Sequence, residues 1–223
     1  MNDGSMRSAG WMAIASAIVG IIALVFLAVF FGIEFQPSAP PRFYLFGGLN
    51  DLAIAVQMAL SVPVARVLHT ITRAHAPRAS AAALWVGILG LLGIIVLQVL
   101  IALQVLTFAV QFLLVLPFWG LVGVWLIATN YLALQNANMA RWSAWLGILS
   151  GFGAVIAFVD FVLFNGFTPI EFEVIFKNPV VAIGLSVGFL LELVGVPIWA
   201  IGLGRTWLTM SPEKPVPAQT AAG

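Results

Sequence analysis

The chain has 223 residues, 62% of them hydrophobic and only 8% charged, with a net charge of +1 and a mean hydropathy of +1.12. Soluble domains average about 45–50% apolar and about 25% charged, so a water-soluble globule is excluded. No basic face exists to neutralise phosphates, which argues against nucleic acid as a partner. The absence of cysteine removes disulfides, thiolate metal sites and cysteine nucleophiles.

Charge-free runs locate the elements. Residues 1–10 form a short polar N-terminus, placed in the cytoplasm by the charge argument below. From Ser8 to Ile33 no charged residue occurs, enough for one helix across a hydrocarbon core of about 30 Å. This run exceeds the roughly 7–15 apolar residues of a signal peptide, so 11–33 is predicted to be a retained first span. The second span, 43–68, carries Asn50 and Asp51. Between Arg78 and Arg141 there is no Asp, Glu, Lys, Arg or His. That stretch is predicted to hold spans 81–104 and 112–134, with a turn between Gln104 and Gln111. The fifth span, 142–164, contains Asp160, and the sixth, 179–207, contains Glu192. Residues 11–208 thus form an all-α, polytopic domain of six transmembrane helices. The Pro-rich segment 209–223 has no core to join and is predicted to be a disordered cytoplasmic tail.

Six crossings place both termini on one side. That side carries Arg7, Arg66, Arg73, Arg78, Arg141, Arg205 and Lys214, and the other only Arg42 and Lys177. The positive-inside rule then puts the termini in the cytoplasm. Trp11, Trp85, Trp142, Trp145 and Trp207 fall near the same interface, where amphipathic rings anchor. The composition is that of small multi-spanning proteins of bacterial inner membranes, and a cell membrane is the expected location.

The chain also echoes itself. "RSAGWMAIAS" from Arg7 lies over "RWSAWLGILS" from Arg141, and "WVGILG" from Trp85 resembles "WLGILS" from Trp145. In the even spans "LPFWG" (Leu116–Gly120) resembles "VPIWA" (Val196–Ala200), with "VPVA" (Val62–Ala65) a weaker copy. The pattern suggests a helical hairpin used three times in parallel, unlike the inverted repeats of many transporters.

The sharpest lead is the three acids within spans. A carboxylate at mid-bilayer costs on the order of 2.5–3.5 kcal/mol on insertion scales. Gly47, Asp51, Ala55 and Ala59 recur every four residues, as do Gly184, Gly188 and Glu192, while Asp160 shares a face with Gly153 and Ala157. Small-residue stripes mark helix–helix interfaces, so all three acids are predicted to point into the bundle. No base lies at comparable depth; Arg42 sits nearer the outer surface. Each acid is then protonated, shares a proton or binds a cation, with Asn50, Asn130, Gln57 and Gln98 as candidate hydrogen-bond donors. The structural alternative is a protonated acid acting as interhelical glue, contributing ~0.5–2 kcal/mol. Phe26 stands at the repeat position of Asp160, so the hairpin itself needs no acid there.

Other chemistry finds little footing. His69 and His75 are six residues apart, off the i, i+4 spacing of metal pairs, and are expected on a solvated cytoplasmic loop. No metal and no cofactor are predicted, and an enzyme is not. The outer segment Asn165–Pro179, "NGFTPIEFEVIFKNP", reads as a surface loop with anchoring Phe residues or as a strand-like interfacial cap. Glu34, Glu171 and Glu173 would make the outer rim acidic and concentrate cations modestly. Two functions fit. One is a non-enzymatic accessory or packing subunit, its partners the lipid bilayer and other membrane subunits or a second copy. The other is a small cation or proton-coupled transporter using Asp51, Asp160 and Glu192.

Overall fold

The computed structural model describes residues 3–35, 44–135, 139–166, 168 and 179–210. They form six helices and, among the described residues, no strand: α1 (Asp3–Val29), α2 (Leu45–Thr72), α3 (Pro77–Ala102), α4 (Phe108–Ala133), α5 (Arg141–Asn165) and α6 (Pro179–Thr209). Each is long and apolar enough to cross a membrane, the build of a multi-pass membrane protein. The expected strand-like segment with Glu171 and Glu173, and the tail from 211 onward, lie outside the described residues.

Local chemistry sets the ends. Pro77 opens α3 at a position where its missing N–H is not needed. Gly166, at φ 64°, closes α5 in a conformation that side-chain-bearing residues avoid. A π-helical turn, Phe30–Glu34, finishes α1. Residues 3–10, read from sequence as a terminus outside the span, already belong to that helix.

Each helix packs on its sequence neighbours, α6 returns against α1, and α2 also touches α4 across the resulting ring. Glycine permits these contacts. A Cβ on Gly204 would lie 2.6 Å from the Gly10 carbonyl oxygen, one on Gly123 would lie 2.6 Å from that of Gly151, and one on Gly188 would lie 2.6 Å from that of Gly153. The α1–α6, α4–α5 and α5–α6 pairs therefore meet backbone to backbone, the geometry that compensates for the weak hydrophobic drive between helices in lipid.

Large rings fill the interior. Trp125 and Trp199 pack edge to face at 6.1 Å, and the Trp199 indole N–H donates to Asn130 Oδ1 at 2.9 Å, tying α6 to α4. Trp11, Trp85, Trp142 and Trp145 are exposed, as the anchoring argument requires. Trp207 is not: it is 1% exposed and belongs to the core. Its place near a helix end suggested an anchor, but its rotation about α6 turns it inward.

The connections differ from expectation in two places. The α3–α4 turn spans 103–107, and Gln104 takes a positive φ of 59°. Gln111 is not in it. It is buried within α4 and its Nε2 donates to Gln98 Oε1 at 3.2 Å. His69 is likewise not on a solvated loop. It sits half-buried in the last turn of α2, 2.8 Å from Ser80 Oγ on α3, and Ser80 also meets Thr72 Oγ1 at 2.7 Å. That polar cluster latches the α2–α3 corner, whereas His75 is exposed in the turn.

If backbone contact holds α5 against α6, Gly188→Ala must separate them, because its methyl meets backbone and the Ala157 methyl at 2.8 Å. Overpacking of this kind costs about 1–3 kcal/mol. Thermal unfolding in detergent should show a clearly lowered midpoint for Gly188→Ala, while Gly32→Ala, with nothing within 4 Å, should unfold with the native chain.

Candidate functional site: the interior carboxyl groups

The up-and-down order of the helices sorts the charges. Arg7, Arg66, His69, Arg73, Arg78, Arg141 and Arg205 all lie at the end of the bundle shared by the start of α1 and the finish of α6. Glu34, Asp51 and Asp160 lie toward the other end. Glu192 is between them, thirteen residues before Arg205 on α6, or roughly 20 Å at 1.5 Å per residue. No described base reaches it.

Glu192 is 2% exposed, and neither carboxyl oxygen has a hydrogen-bond partner among the described residues. Its side chain borders a cavity of about 20 Å³, walled by Gly20 of α1, Asn50 and Gln57 of α2, Trp119 of α4, and Leu193 of α6. That volume admits about one water molecule. The Gln57 amide lies over Gly20, where a Cβ would come within 2.5 Å of its Nε2, so the bare glycine makes room for it. Asn50, 7% exposed, directs Nδ2 toward Asp51 Oδ1 at 3.5 Å, so its Oδ1 is not engaged by that contact.

The other two acids are placed differently. Asp51 is only half-buried, beside the exposed Leu52 and Val56. Its supposed stripe runs from the buried Ala55 to the exposed Ala59, so the inward face of α2 is that of Asn50, Ile54, Gln57 and Ser61. Asp160 is half-buried between α5 and α6, and the missing side chain of Gly184 leaves the space that its carboxyl fills. Its Oδ2 is buried with no hydrogen-bond partner among the described residues. Neither Asp51 nor Asp160 borders the Glu192 cavity, and no group of three or more acidic or His side chains able to hold a metal forms among the described residues. The small-residue stripes do mark interfaces along Gly153, Ala157, Gly184 and Gly188, but they do not bring the three acids together.

Two of the expected donors are engaged elsewhere. Asn130 accepts from Trp199 and donates to the Leu126 carbonyl, and Gln98 pairs with Gln111. Only Asn50 and Gln57 remain near Glu192. Gly20 and Trp119 also line its cavity, together with aliphatic side chains of α1, α2 and α6, without having been singled out by sequence; the Trp within the repeated "LPFWG" was the available signal.

Glu34, expected to contribute to an acidic rim, also has a specific task. Its Oε1 accepts from the Leu45 N–H at 3.0 Å, and its Oε2 accepts from Phe46 N–H at 2.9 Å and Gly47 N–H at 3.4 Å. These are orphan donors of the first turn of α2, and an anion there also meets the positive end of the helix dipole. Phe30 stacks edge-on against Tyr44 at 5.3 Å beside it, so the π-turn delivers Glu34 into a fixed corner.

Comparison with protein-family models, with curated proteins and with solved structures finds no match.

The Glu34 cap can be checked on its own. Glu34→Ala should lower stability by about 0.5–2 kcal/mol and speed hydrogen exchange at the Leu45–Gly47 amides. Exchange there at the native rate would show that the cap is not what orders the start of α2.

Proposed function

We propose that the chain is a non-enzymatic, multi-pass membrane protein that serves as a packing or accessory subunit, in a cell membrane of bacterial inner-membrane type. One observation carries this reading. The acids are dispersed, with Asp51 and Asp160 half-open at helix flanks and Glu192 buried alone beside a small, one-water cavity. Transport along the three acids needs a wet route that joins them, and a 20 Å³ cavity bordered by only one of them is not such a route. An acid left half-open beside Leu52, Val56 and Ala59 is costly against lipid, and a second membrane segment over the α2 face would complete its burial. Other membrane subunits, or a second copy of this chain, are the partners this implies.

The orientation follows from the charge sorting. With the Arg-rich end inside, both termini are cytoplasmic, and Asp51, Asp160 and the Glu34 corner lie toward the outside. The three-hairpin organisation belongs to the same proposal. Positions equivalent in the repeat, Ser16, Gly90 and Ser150, each meet the even helix of their own hairpin: Ser61 Oγ at 3.1 Å, a Phe118 carbonyl oxygen 3.0 Å from a Cβ built on Gly90, and Gly195, where a Cβ would fall on the Ser150 hydroxyl.

A second reading, a small proton- or cation-coupled transporter, draws on the unpartnered Glu192 alone. The two readings part in two measurements. A photo-crosslinking residue at Leu52 or Val56 should trap a discrete protein adduct in native membranes, and one at Leu89 on the exposed face of α3 only lipid. In liposomes carrying a pH dye, the native chain should leave proton leakage at the protein-free level. Flux that disappears in Glu192→Gln would reverse the choice in favour of transport.

A further inference from the structure

We propose that Glu192, Asn50 and Gln57 form a binding site for a single monovalent cation of about sodium's size, which replaces the proton on Glu192. This goes beyond the accessory reading, which stands whether or not the site takes an ion.

Geometry comes first. Both Glu192 oxygens are buried and without a partner among the described residues, and the side chain borders a cavity sized for one small occupant. Buried polar atoms without partners are rare in native proteins and call for an unseen water or ion. The available donors are oxygens: the carboxylate, the Asn50 Oδ1 left free of Asp51, and the Gln57 carboxamide, whose Oε1 can be presented by an amide flip. Oxygen sets of this kind select hard cations. The backbone offers a further candidate. Pro197, inside α6, has no N–H to offer the carbonyl four residues earlier; that carbonyl belongs to Leu193, which borders the same cavity. Carbonyls released where a spanning helix is interrupted are a recurrent ligand for coupling ions.

Charge then decides valence. Among the described residues Glu192 is the only titratable side chain on the cavity; Asp51 adjoins Asn50 but does not border it, and no described base approaches. One carboxylate and neutral amides balance a charge of +1. A divalent ion would leave an uncompensated positive charge in the interior, which is strongly unfavourable. The small volume disfavours the larger alkali ions. Proton and sodium therefore compete for one negative charge: no covalent bond other than the carboxyl O–H is broken, and the proton leaves to solvent as the ion enters.

The purified full-length chain supplies the test. Its thermal midpoint should rise saturably with sodium chloride and not with choline chloride at equal ionic strength, and potassium should act more weakly. Lowering the pH should raise the sodium concentration needed for half the effect. Glu192→Gln should abolish the sodium-specific shift, and Asn50→Leu should weaken it at least several-fold. If Glu192→Gln does not fold, Asn50→Leu and isotopic sodium binding to the native chain answer the question. A native chain with no sodium-specific shift, or a shift that survives Glu192→Gln, overturns the site. Stability that depends on pH but is blind to sodium assigns the cavity to a proton alone and also overturns it.

Discussion

Lipid tails are as apolar as leucine, so helices in a bilayer gain little by hiding hydrophobic surface from one another and must be held by close contact. This constraint governs the whole bundle. Where glycine stands, as at Gly10 with Gly204, Gly123 with Gly151 and Gly153 with Gly188, backbones touch. Where it faces a large ring, as Gly87 faces Trp125, the ring is seated in the vacancy. Exposed leucines, valines and isoleucines then cover the outside, as lipid contact requires.

The same close packing makes the interior acid consequential. Glu192 is enclosed on α6 by α1, α2 and α4, with a one-water space beside it and no base among the described residues near it. Asp160 uses the volume that Gly184 leaves free, and Asp51 leans on Asn50 at the flank of α2. The three acids thus serve different surroundings. One is buried, one is wedged between two helices, and one lies beside an exposed ridge.

Six helices were legible because length and charge-free runs are properties of sequence alone. Rotation was not. On α2, the Gly47–Asp51–Ala55–Ala59 stripe and the Asn50–Ile54–Gln57–Ser61 face differ by one residue, about 100° around the helix, and both contain small or polar side chains; only the neighbours α1, α3 and α4 decide between them. Trp207 misled for the same reason. Gln98 and Asn130 were read as servants of the acids, yet each has a partner on an adjacent helix that no spacing rule reveals. Glu34 reached across a connection to the first turn of α2, a tertiary event invisible to local pattern. The positions of the acids along the helices were legible, since a charge inside an apolar run stands out whatever its rotation, but which of them is buried was not: of the three only Glu192 is.

The account rests on the Glu192 carboxyl being balanced by a proton or one small cation and not by a base. Infrared difference spectroscopy of the native chain against Glu192→Gln reads that state directly. In sodium-free neutral buffer the difference should contain the C=O stretch of a protonated carboxylic acid, and sodium should replace it with the bands of an ionised carboxylate. An ionised carboxylate at that position in sodium-free buffer would mean that a protein cation reaches Glu192, and the account would be wrong.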